Sequence, residues 1–272
     1  MSLHVDVAGS GPPLVLLHGW AMHGGIFAPL VQALRARRTL HVVDLPGHGR
    51  SRASGLPLAL DACADAVLDA VPDAPWCGWS LGGLVALHAA SKQPARIHAL
   101  AMVCATPKFV VAGDWPQGMP AGVFHGFAAG LQADWRASVD RFIALEAFGS
   151  DHMREELRML RDAVLAHGEP SPRVLAEGLR LLEGSDLRAA LPALRMPSLW
   201  IGGRRDRLVN PLAMQAAAAL APDARFLQVE HAGHAPFLTH ADAVADALLD
   251  FLASCDPRPN PATHAEAGAA QP

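Results

Sequence analysis

The stretch Gly78-Trp79-Ser80-Leu81-Gly82-Gly83 joins a short apolar run to an alanine-rich segment. The apolar run at 74–77 predicts a buried strand, and the segment at 84–90 predicts a helix. A serine at the sharp turn between a strand and a helix, with glycine two positions to either side, is typical of an exposed nucleophile. Glycine is needed there because larger side chains would collide with the neighbouring strand and helix. The stretch therefore predicts Ser80 as a nucleophile.

The composition indicates a globular, water-soluble protein. The chain has 272 residues, of which 51% are hydrophobic and 18% charged, enough for one domain with an insertion and a large core. No apolar run reaches the roughly 18 residues of a membrane span, and the run at 12–20 lacks the basic flank of a signal peptide. The net charge of −4 argues against general nucleic-acid binding. We therefore expect a cytoplasmic protein with no membrane or nucleic-acid partner.

Neither the cysteines nor the histidines show the spacing of a metal site. Four cysteines stand at positions 63, 77, 104 and 255, and we interpret them as small hydrophobic residues. Three histidines near one another in the sequence, His18, His23 and His48, lack carboxylate or cysteine partners at suitable spacing. We therefore expect no metal and no cofactor.

Strands alternate with helices in the first 107 residues. Pairs of strands linked by helices predict a mostly parallel sheet with helices on both faces, an α/β fold. The all-apolar run Leu14–Leu17 is typical of a central parallel strand. The predicted strands cover 2–7, 14–17, 40–44, 74–77 and 97–104, and the predicted helices cover 26–35, 61–70 and 84–90.

The alternation stops between the two halves of the predicted sheet. Residues 108–191 contain helical segments broken by glycine and proline, so we expect a helical lid inserted between core segments 1–107 and 192–255. Strands at 198–201 and 224–229 and helices at 212–220 and 241–252 continue the core. The tail at 256–272 cannot bury apolar surface and is predicted to be disordered.

A serine nucleophile needs a base and a carboxylate that orients the base. His234 follows the last predicted strand, and Gly233 lets the loop aim it; His231 is the alternative base. Asp206 follows the preceding strand, so the acid and the base lie at the edge where an open sheet builds its site. Asp44 is the alternative acid, although it could instead hold the glycine loop at 46–51 by hydrogen bonds.

Two amides are expected to bind the oxyanion of the reaction. One is the amide of Leu81, the residue after the nucleophile, and the other is the amide of Trp20 in the loop after the Leu14–Leu17 strand. Gly19 lets that loop bend. The indole of Trp20 is predicted to wall the pocket, with core packing as the alternative.

One helix of the insertion carries an apolar stripe and a row of arginines. Met153, Leu157, Leu160 and Val164 are spaced as the buried face of a helix. The row contains Arg154, Arg158 and Arg161, and Arg141 on the preceding helix could join it. The arginines either dock an acidic partner protein or pair on a solvated face with acids of their own helix, Glu155, Glu156 and Asp162.

Five features of the sequence resemble those of α/β-hydrolases. They are the sharp turn around Ser80 (the nucleophile elbow), the histidine-glycine turn at 18–19, the loop at 44–51, Asp206 and His234. Up to about residue 253 the chain is similar to the family of pimeloyl-[acyl-carrier protein] methyl ester esterases of biotin synthesis. Five strings carry this resemblance, namely 78–86, 114–116, 141–145, 186–188 and 234–237.

The resemblance implies cleavage of a methyl ester from pimeloyl-carrier protein, with release of methanol. Separately from the resemblance, we expect a monomer. It implies substrate contacts by Trp20, Ser80, Leu81, Phe142, Ile143, Ala144, Leu145, Glu146 and His234. It also implies carrier-protein docking at Arg141, Arg154 and Arg158. A further docking arginine is expected where the sequence has Ala137, and Arg136 is the residue beside it. The alternatives are a general short-chain carboxylesterase and a non-catalytic receptor; the intact Ser80, Asp206 and His234 argue against the receptor.

Overall fold

A seven-stranded sheet runs through the protein in a computed structural model that describes residues 2–255. The order across the sheet is β1-β3-β2-β4-β5-β6-β7; β1 is antiparallel to β3, and all other neighbours are parallel. The strands are β1 Val5–Gly9, β2 Pro13–Leu17, β3 Thr39–Val43, β4 Ala74–Trp79, β5 Ile97–Val103, β6 Ser198–Gly203 and β7 Ala224–Val229. The predicted tail at 256–272 lies outside the described residues.

Helices connect the parallel strands and pack in two groups, α1 with α9 and α10, and α2 with α3. None of the helices within residues 2–255 is both long and apolar enough to cross a membrane. The helices are α1 Ala28–Leu34, α2 Leu60–Ala70, α3 Leu81–Lys92, α4 Ala121–Ala133, α5 Trp135–Ala147, α6 Met153–Ala166, α7 Pro172–Gly184, α8 Pro211–Ala218, α9 Pro236–Thr239 and α10 Ala241–Cys255.

The core is centred on β2 and β4, as the apolar sequence of β2 predicts. The four residues Leu14–Leu17 are fully buried because both faces of this central strand are covered. The predicted edge strand at 2–7 is displaced along the chain, since the pairing with β3 extends from Val5 opposite Val43 to Gly9 opposite Thr39. Gly9 ends β1 with φ of 88°, a conformation that favours glycine.

Four helices, α4 to α7, lie between β5 and β6, and α6 also packs against α9. The predicted buried stripe of α6 is wrong at its first residue, because Met153 is 41% exposed. Glu156 is buried in its place, together with Leu160 and Val164 at successive four-residue steps. The buried face is therefore turned toward Glu156, whose carboxylate accepts hydrogen bonds from Ser150 Oγ and Thr239 Oγ1, both at 2.7 Å.

Candidate active site

The turn between β4 and α3 holds Ser80 in a strained conformation, with φ of 54° and ψ of −118°. The glycines around it are in close contact with other backbone. A Cβ on Gly82 would stand 2.3 Å from the carbonyl oxygen of Leu17, and one on Gly78 would stand 2.4 Å from the carbonyl oxygen of Gly82. Only glycine fits at these positions, which agrees with the steric argument made from the sequence.

His234 and Asp206 form a buried hydrogen-bonded pair at the carboxyl edge of the sheet. His234 Nδ1–H donates to Asp206 Oδ2 at 2.8 Å, and both side chains are fully buried. Asp206 Oδ1 accepts from the amides of Leu208 and Val209 at 2.8 and 2.9 Å, which fixes the plane of the carboxylate. A hydrogen bond from Nδ1 leaves the Nε2 lone pair of a neutral imidazole free to accept a proton.

Trp79 holds the histidine loop against the elbow. Its indole N–H donates to the backbone carbonyl of His234 at 2.8 Å, and the two rings lie 5.7 Å apart. Ser80 Oγ and His234 Nε2 are both buried and make no hydrogen bond among the described residues. A nucleophile and a base in this state can close on each other when substrate enters, since such hydrogen bonds often tighten only in the complex.

The alternative base and acid have other roles. His231 is 60% exposed, and its Nδ1 lies 2.7 Å from Asp151 Oδ2. Asp44 accepts from the amides of Gly24 and Arg50 at 2.7 and 2.8 Å, so its two oxygens hold two loops, as the alternative interpretation of this residue proposed. These hydrogen bonds and this ion pair engage His231 and Asp44 with partners other than Ser80 and His234.

The loop after β2 lies directly against the nucleophile. A Cβ on Gly19 would stand 3.2 Å from Ser80 Cβ, so the neighbouring Trp20 enters the site from this loop. The Trp20 indole N–H donates to the carbonyl of Leu175 on α7 at 2.9 Å. Leu81 is the first residue of α3, where an amide has no partner within the helix and the helix dipole is positive. The oxyanion roles of Trp20 and Leu81 stay predictions.

Helix α5 packs Phe142 against Trp20. The ring of Phe142 is fully buried and lies 4.5 Å from the Trp20 ring and 5.3 Å from that of Phe127. Ile143 is also buried and Leu145 is half-buried, whereas Ala144 is exposed. The substrate contacts implied for these residues stay predictions, and exposure makes Ala144 the weakest of them.

Glu146, the next residue of α5, is the unexpected group in the site. Its side chain is fully buried, Oε1 lies 3.9 Å from His234 Nε2, and neither oxygen has a hydrogen-bond partner within residues 2–255. Burial, followed by the nearby Asp206 and Glu156 carboxylates, raises the pKa of Glu146 well above its ordinary value. The sequence indicated this position only through the family resemblance and gave no sign of its environment.

Two buried histidines near the site are structural. His18 donates from Nδ1 to the carbonyl of Gly19 at 2.8 Å and accepts at Nε2 from the amide of Leu45 at 2.9 Å. The His48 ring packs 5.2 Å away, with Nδ1 3.0 Å from the carbonyl of Pro46. Burial lowers the pKa of His18 to about 3 and that of His48 to about 4, so both rings are neutral.

Within residues 2–255, one group of potential metal ligands stands close together, namely Cys104, Asp206 and His234, with ligand atoms within 4.8 Å. Burial raises the pKa of the Cys104 thiol well above its ordinary value, so the sulfur keeps its proton. Metal ligation requires the thiolate. Asp206 and His234 already satisfy each other, so the group fits a hydrogen-bonded dyad better than a metal site.

The arginines of the insertion differ in their partners. Arg161 makes a bidentate pair with Asp140 at 2.6 and 2.9 Å. Arg158 lies 3.6 Å from Asp162, an exposed pair of small energetic value. Arg154 and Arg141 are exposed and pair with no carboxylate among the described residues. Of the other two acids of the solvated-face interpretation, Glu155 is exposed and lies 4.0 Å from His152 Nδ1, and Glu156 is buried and faces away from this row.

A family model of the α/β hydrolase fold matches residues 12–241, and the chain belongs to this family. The chain is 57% identical over 255 residues to the pimeloyl-[acyl-carrier protein] methyl ester esterase of Stenotrophomonas maltophilia (strain K279a), covering 94% of this chain and 98% of that protein. It is 54% identical over 252 residues to the protein of the same name from Xanthomonas oryzae pv. oryzae (strain MAFF 311018), covering 93% and 99%.

Solved structures share the fold at much lower identity. A hydrolase from Oleispira antarctica superposes with a TM-score of 0.82 at 20% identity, covering 92% of this chain and 94% of that one. The enol-lactonase from Burkholderia xenovorans LB400 superposes with a TM-score of 0.80 at 24% identity, covering 92% and 96%. These likenesses concern the fold alone.

Proposed function

We propose that this chain is a serine carboxylesterase that hydrolyses pimeloyl-[acyl-carrier protein] methyl ester to pimeloyl-[acyl-carrier protein] and methanol, for biotin synthesis. The observation that carries the proposal is the 57% identity, over 94% of the chain, to an esterase of that name. The proposal includes a monomeric cytoplasmic enzyme without cofactor, with Ser80, His234 and Asp206 as its triad.

In the proposed mechanism, His234 Nε2 takes the proton of Ser80 Oγ as the oxygen attacks the ester carbonyl. Asp206 holds the imidazole in the required tautomer and stabilises the imidazolium that forms. The amides of Leu81 and Trp20 receive the developing oxyanion charge. The imidazolium then gives its proton to the methoxide, and methanol leaves. Water next attacks the acyl-enzyme while His234 takes one of its protons, and the imidazolium returns that proton to Ser80 Oγ as the acid product leaves.

The proposed lid, residues 108–191, closes the acyl pocket over the elbow. The hydrogen bond from Trp20 to α7 and the packing of Phe142 on the same indole support this arrangement, since both link the lid to the loop beside Ser80. A pocket lined by these aromatic rings would suit an aliphatic chain, which gains free energy in proportion to the area it buries.

The carrier protein is proposed to dock on Arg141, Arg154 and Arg158. Two of these arginines have no acidic partner in the part of the chain that the structure describes, and the third has a weak one, so few ion pairs have to be broken when an acidic surface approaches. Arg161, which pairs with Asp140, and Arg136, which pairs with Glu169, would contribute less. Charge of this kind raises the encounter rate and fixes the orientation of partners.

Reversing Arg141 and Arg154 together to glutamate tests this proposal. The double variant should lose at least about tenfold in kcat/KM on pimeloyl-carrier protein methyl ester, roughly 1.4 kcal/mol, and almost nothing on a p-nitrophenyl ester. Added salt should weaken the wild-type preference for the carrier substrate, because exposed charges are screened beyond about 8–10 Å.

A charge-matched control is the reversal of Arg195 and Arg225, two exposed arginines outside the proposed docking surface. The control should keep full activity on both substrates. Equal losses on both substrates in the Arg141 and Arg154 variant would mean that these arginines hold the lid together. An unaffected carrier substrate would favour a general short-chain carboxylesterase.

A further inference from the structure

Glu146 places a carboxyl group beside Nε2 of His234, the atom that takes up and gives back the proton in the proposed mechanism. Its Oε1 lies 3.9 Å from Nε2, too far for a direct hydrogen bond. The same helix is anchored to the histidine loop, because the amide of His234 donates to the carbonyl of Glu146 at 3.2 Å. This bond holds the backbone of Glu146 against the histidine loop, and the buried side chain places its carboxyl group beside Nε2.

The surroundings of Glu146 favour a neutral acid. The charged groups that face it are Asp206, from the loop after β6, and Glu156, from α6, and both are carboxylates. Among the described residues, no lysine or arginine contributes to its pKa shift, and burial and the two carboxylates all favour the protonated form. A neutral carboxylic acid has one oxygen that accepts hydrogen bonds and one O–H that donates.

The 3.9 Å separation between Oε1 and Nε2 matches one bridging water molecule. An oxygen about 2.8 Å from each atom would subtend an angle of about 90° between them, within the usual range for hydrogen-bonded water. Such a water would donate one hydrogen to Nε2 and the other to Glu146. Its lone pairs would then point away from both groups and be free to attack an acyl carbon on Ser80 Oγ.

We propose that Glu146 is a positioning residue for the second half of the reaction, in which it holds the hydrolytic water against His234. The proposal rests on the triad proposed above. His234 Nε2 takes one proton of the water while its oxygen bonds to the acyl carbon. The bond from that carbon to Ser80 Oγ then breaks, and the imidazolium returns the proton to Oγ. Glu146 accepts the second water hydrogen throughout and neither gains nor loses a proton.

This role predicts a particular kinetic signature. Attack by Ser80 needs no water, so acylation and therefore kcat/KM should be nearly independent of Glu146. Hydrolysis of the acyl-enzyme should slow when the acceptor oxygen is removed, which lowers kcat and KM by the same factor. A packing defect in α5 would instead reduce both steps together.

The experiment compares Glu146→Met, Glu146→Ala and Glu146→Gln on p-nitrophenyl butyrate. Methionine and alanine remove the acceptor, and we expect kcat to fall about tenfold or more, with kcat/KM within about threefold of wild type. A burst of p-nitrophenol equal to the enzyme concentration should precede the slow turnover. Glutamine keeps a carbonyl acceptor and a neutral charge, so Glu146→Gln should restore kcat and abolish the burst.

Three results would overturn the proposal. These are unchanged kcat in both Glu146→Met and Glu146→Ala, equal losses in kcat and kcat/KM without a burst, and failure of Glu146→Gln to restore kcat. A failure of the triad itself is distinguishable, because Ser80→Ala would then retain turnover of the same ester. The alanine variant adds no bulk and serves if methionine disturbs the packing of α5.

Discussion

Replacing Asp206 by asparagine should disable the base while leaving the fold intact. Asp206 Oδ1 accepts two amide hydrogens, from Leu208 and Val209, at 2.8 and 2.9 Å. An asparagine NH₂ group cannot occupy that position, because it would face two donors. The amide oxygen therefore stays there, and the NH₂ group must point at His234 Nδ1.

The consequence is a change of tautomer. With a donor facing Nδ1, the imidazole carries its proton on Nε2 and can no longer accept the proton of Ser80 Oγ. The expected loss in kcat/KM is about 10⁴, equivalent to about 5.5 kcal/mol of transition-state free energy. The protein should still fold, since the 2.8 Å contact between the two side chains is kept as a hydrogen bond of reversed direction.

The assay is steady-state hydrolysis of a p-nitrophenyl ester, with circular dichroism as the check on folding. Asp151→Asn is the matched control, because Asp151 makes the same kind of contact with the alternative base, 2.7 Å from His231 Nδ1. The control should stay within about twofold of wild type. If Asp206→Asn kept more than about a tenth of the activity, or if Asp151→Asn were the damaging change, the assignment of the acid and base would be refuted.

Two further predictions concern the acyl pocket and the response to acid. Phe142→Ala should raise the hydrolysis of longer acyl p-nitrophenyl esters relative to short ones, because each methylene carries only about 1–3 kcal/mol of discrimination; an unchanged profile would place Phe142 in the core alone. The pKa of His48 is about 4 in the folded protein and about 6.5 when unfolded, so the unfolded chain takes up the proton first. The contribution of His48 to stability should therefore be constant above about pH 6.5 and fall below it, down to about pH 4, by up to about 1.4 kcal/mol per pH unit, in addition to the similar contribution of His18. Urea unfolding of His48→Asn should show a shallower fall than the wild type, and an equal slope would contradict the burial argument.

The sheet and the elbow could be predicted from local sequence. A central parallel strand is apolar on both faces, so Leu14–Leu17 could be recognised without knowing its neighbours. The glycines around Ser80 reflect close contacts within the turn and with the neighbouring strand β2, and this pattern recurs wherever a strand turns sharply into a helix at a nucleophile. The meeting of Asp206 with His234 was expected because both follow strands that end at the same edge of the sheet.

The helices of the insertion were harder to orient. The stripes that begin at Met153 and at Glu156 share Leu160 and Val164, so periodicity alone does not choose between them. The choice depends on Ser150 and Thr239, whose hydroxyls come from outside the helix and both donate to Oε1 of the buried Glu156. A carboxylate in a helix is normally assigned to the solvent face.

The environment of Glu146 could not be predicted from the sequence for a related reason. Its protonation state depends on burial and on the carboxylates of Asp206 and Glu156, which lie on two other elements. No pattern within α5 carries that information. The sequence could place Glu146 near the substrate through family resemblance, but its carboxyl group could be related to His234 only after the helices were positioned.

The most direct test of the central claim is the reaction of purified protein with pimeloyl-carrier protein methyl ester, followed by mass spectrometry of the carrier and by assay of methanol. The wild-type protein should convert the methyl ester to the free acid and release one methanol per carrier. Ser80→Ala should leave the ester intact. Hydrolysis by Ser80→Ala at the wild-type rate would contradict the mechanism, and an intact carrier ester in a wild-type protein that still cleaves p-nitrophenyl esters would contradict the substrate.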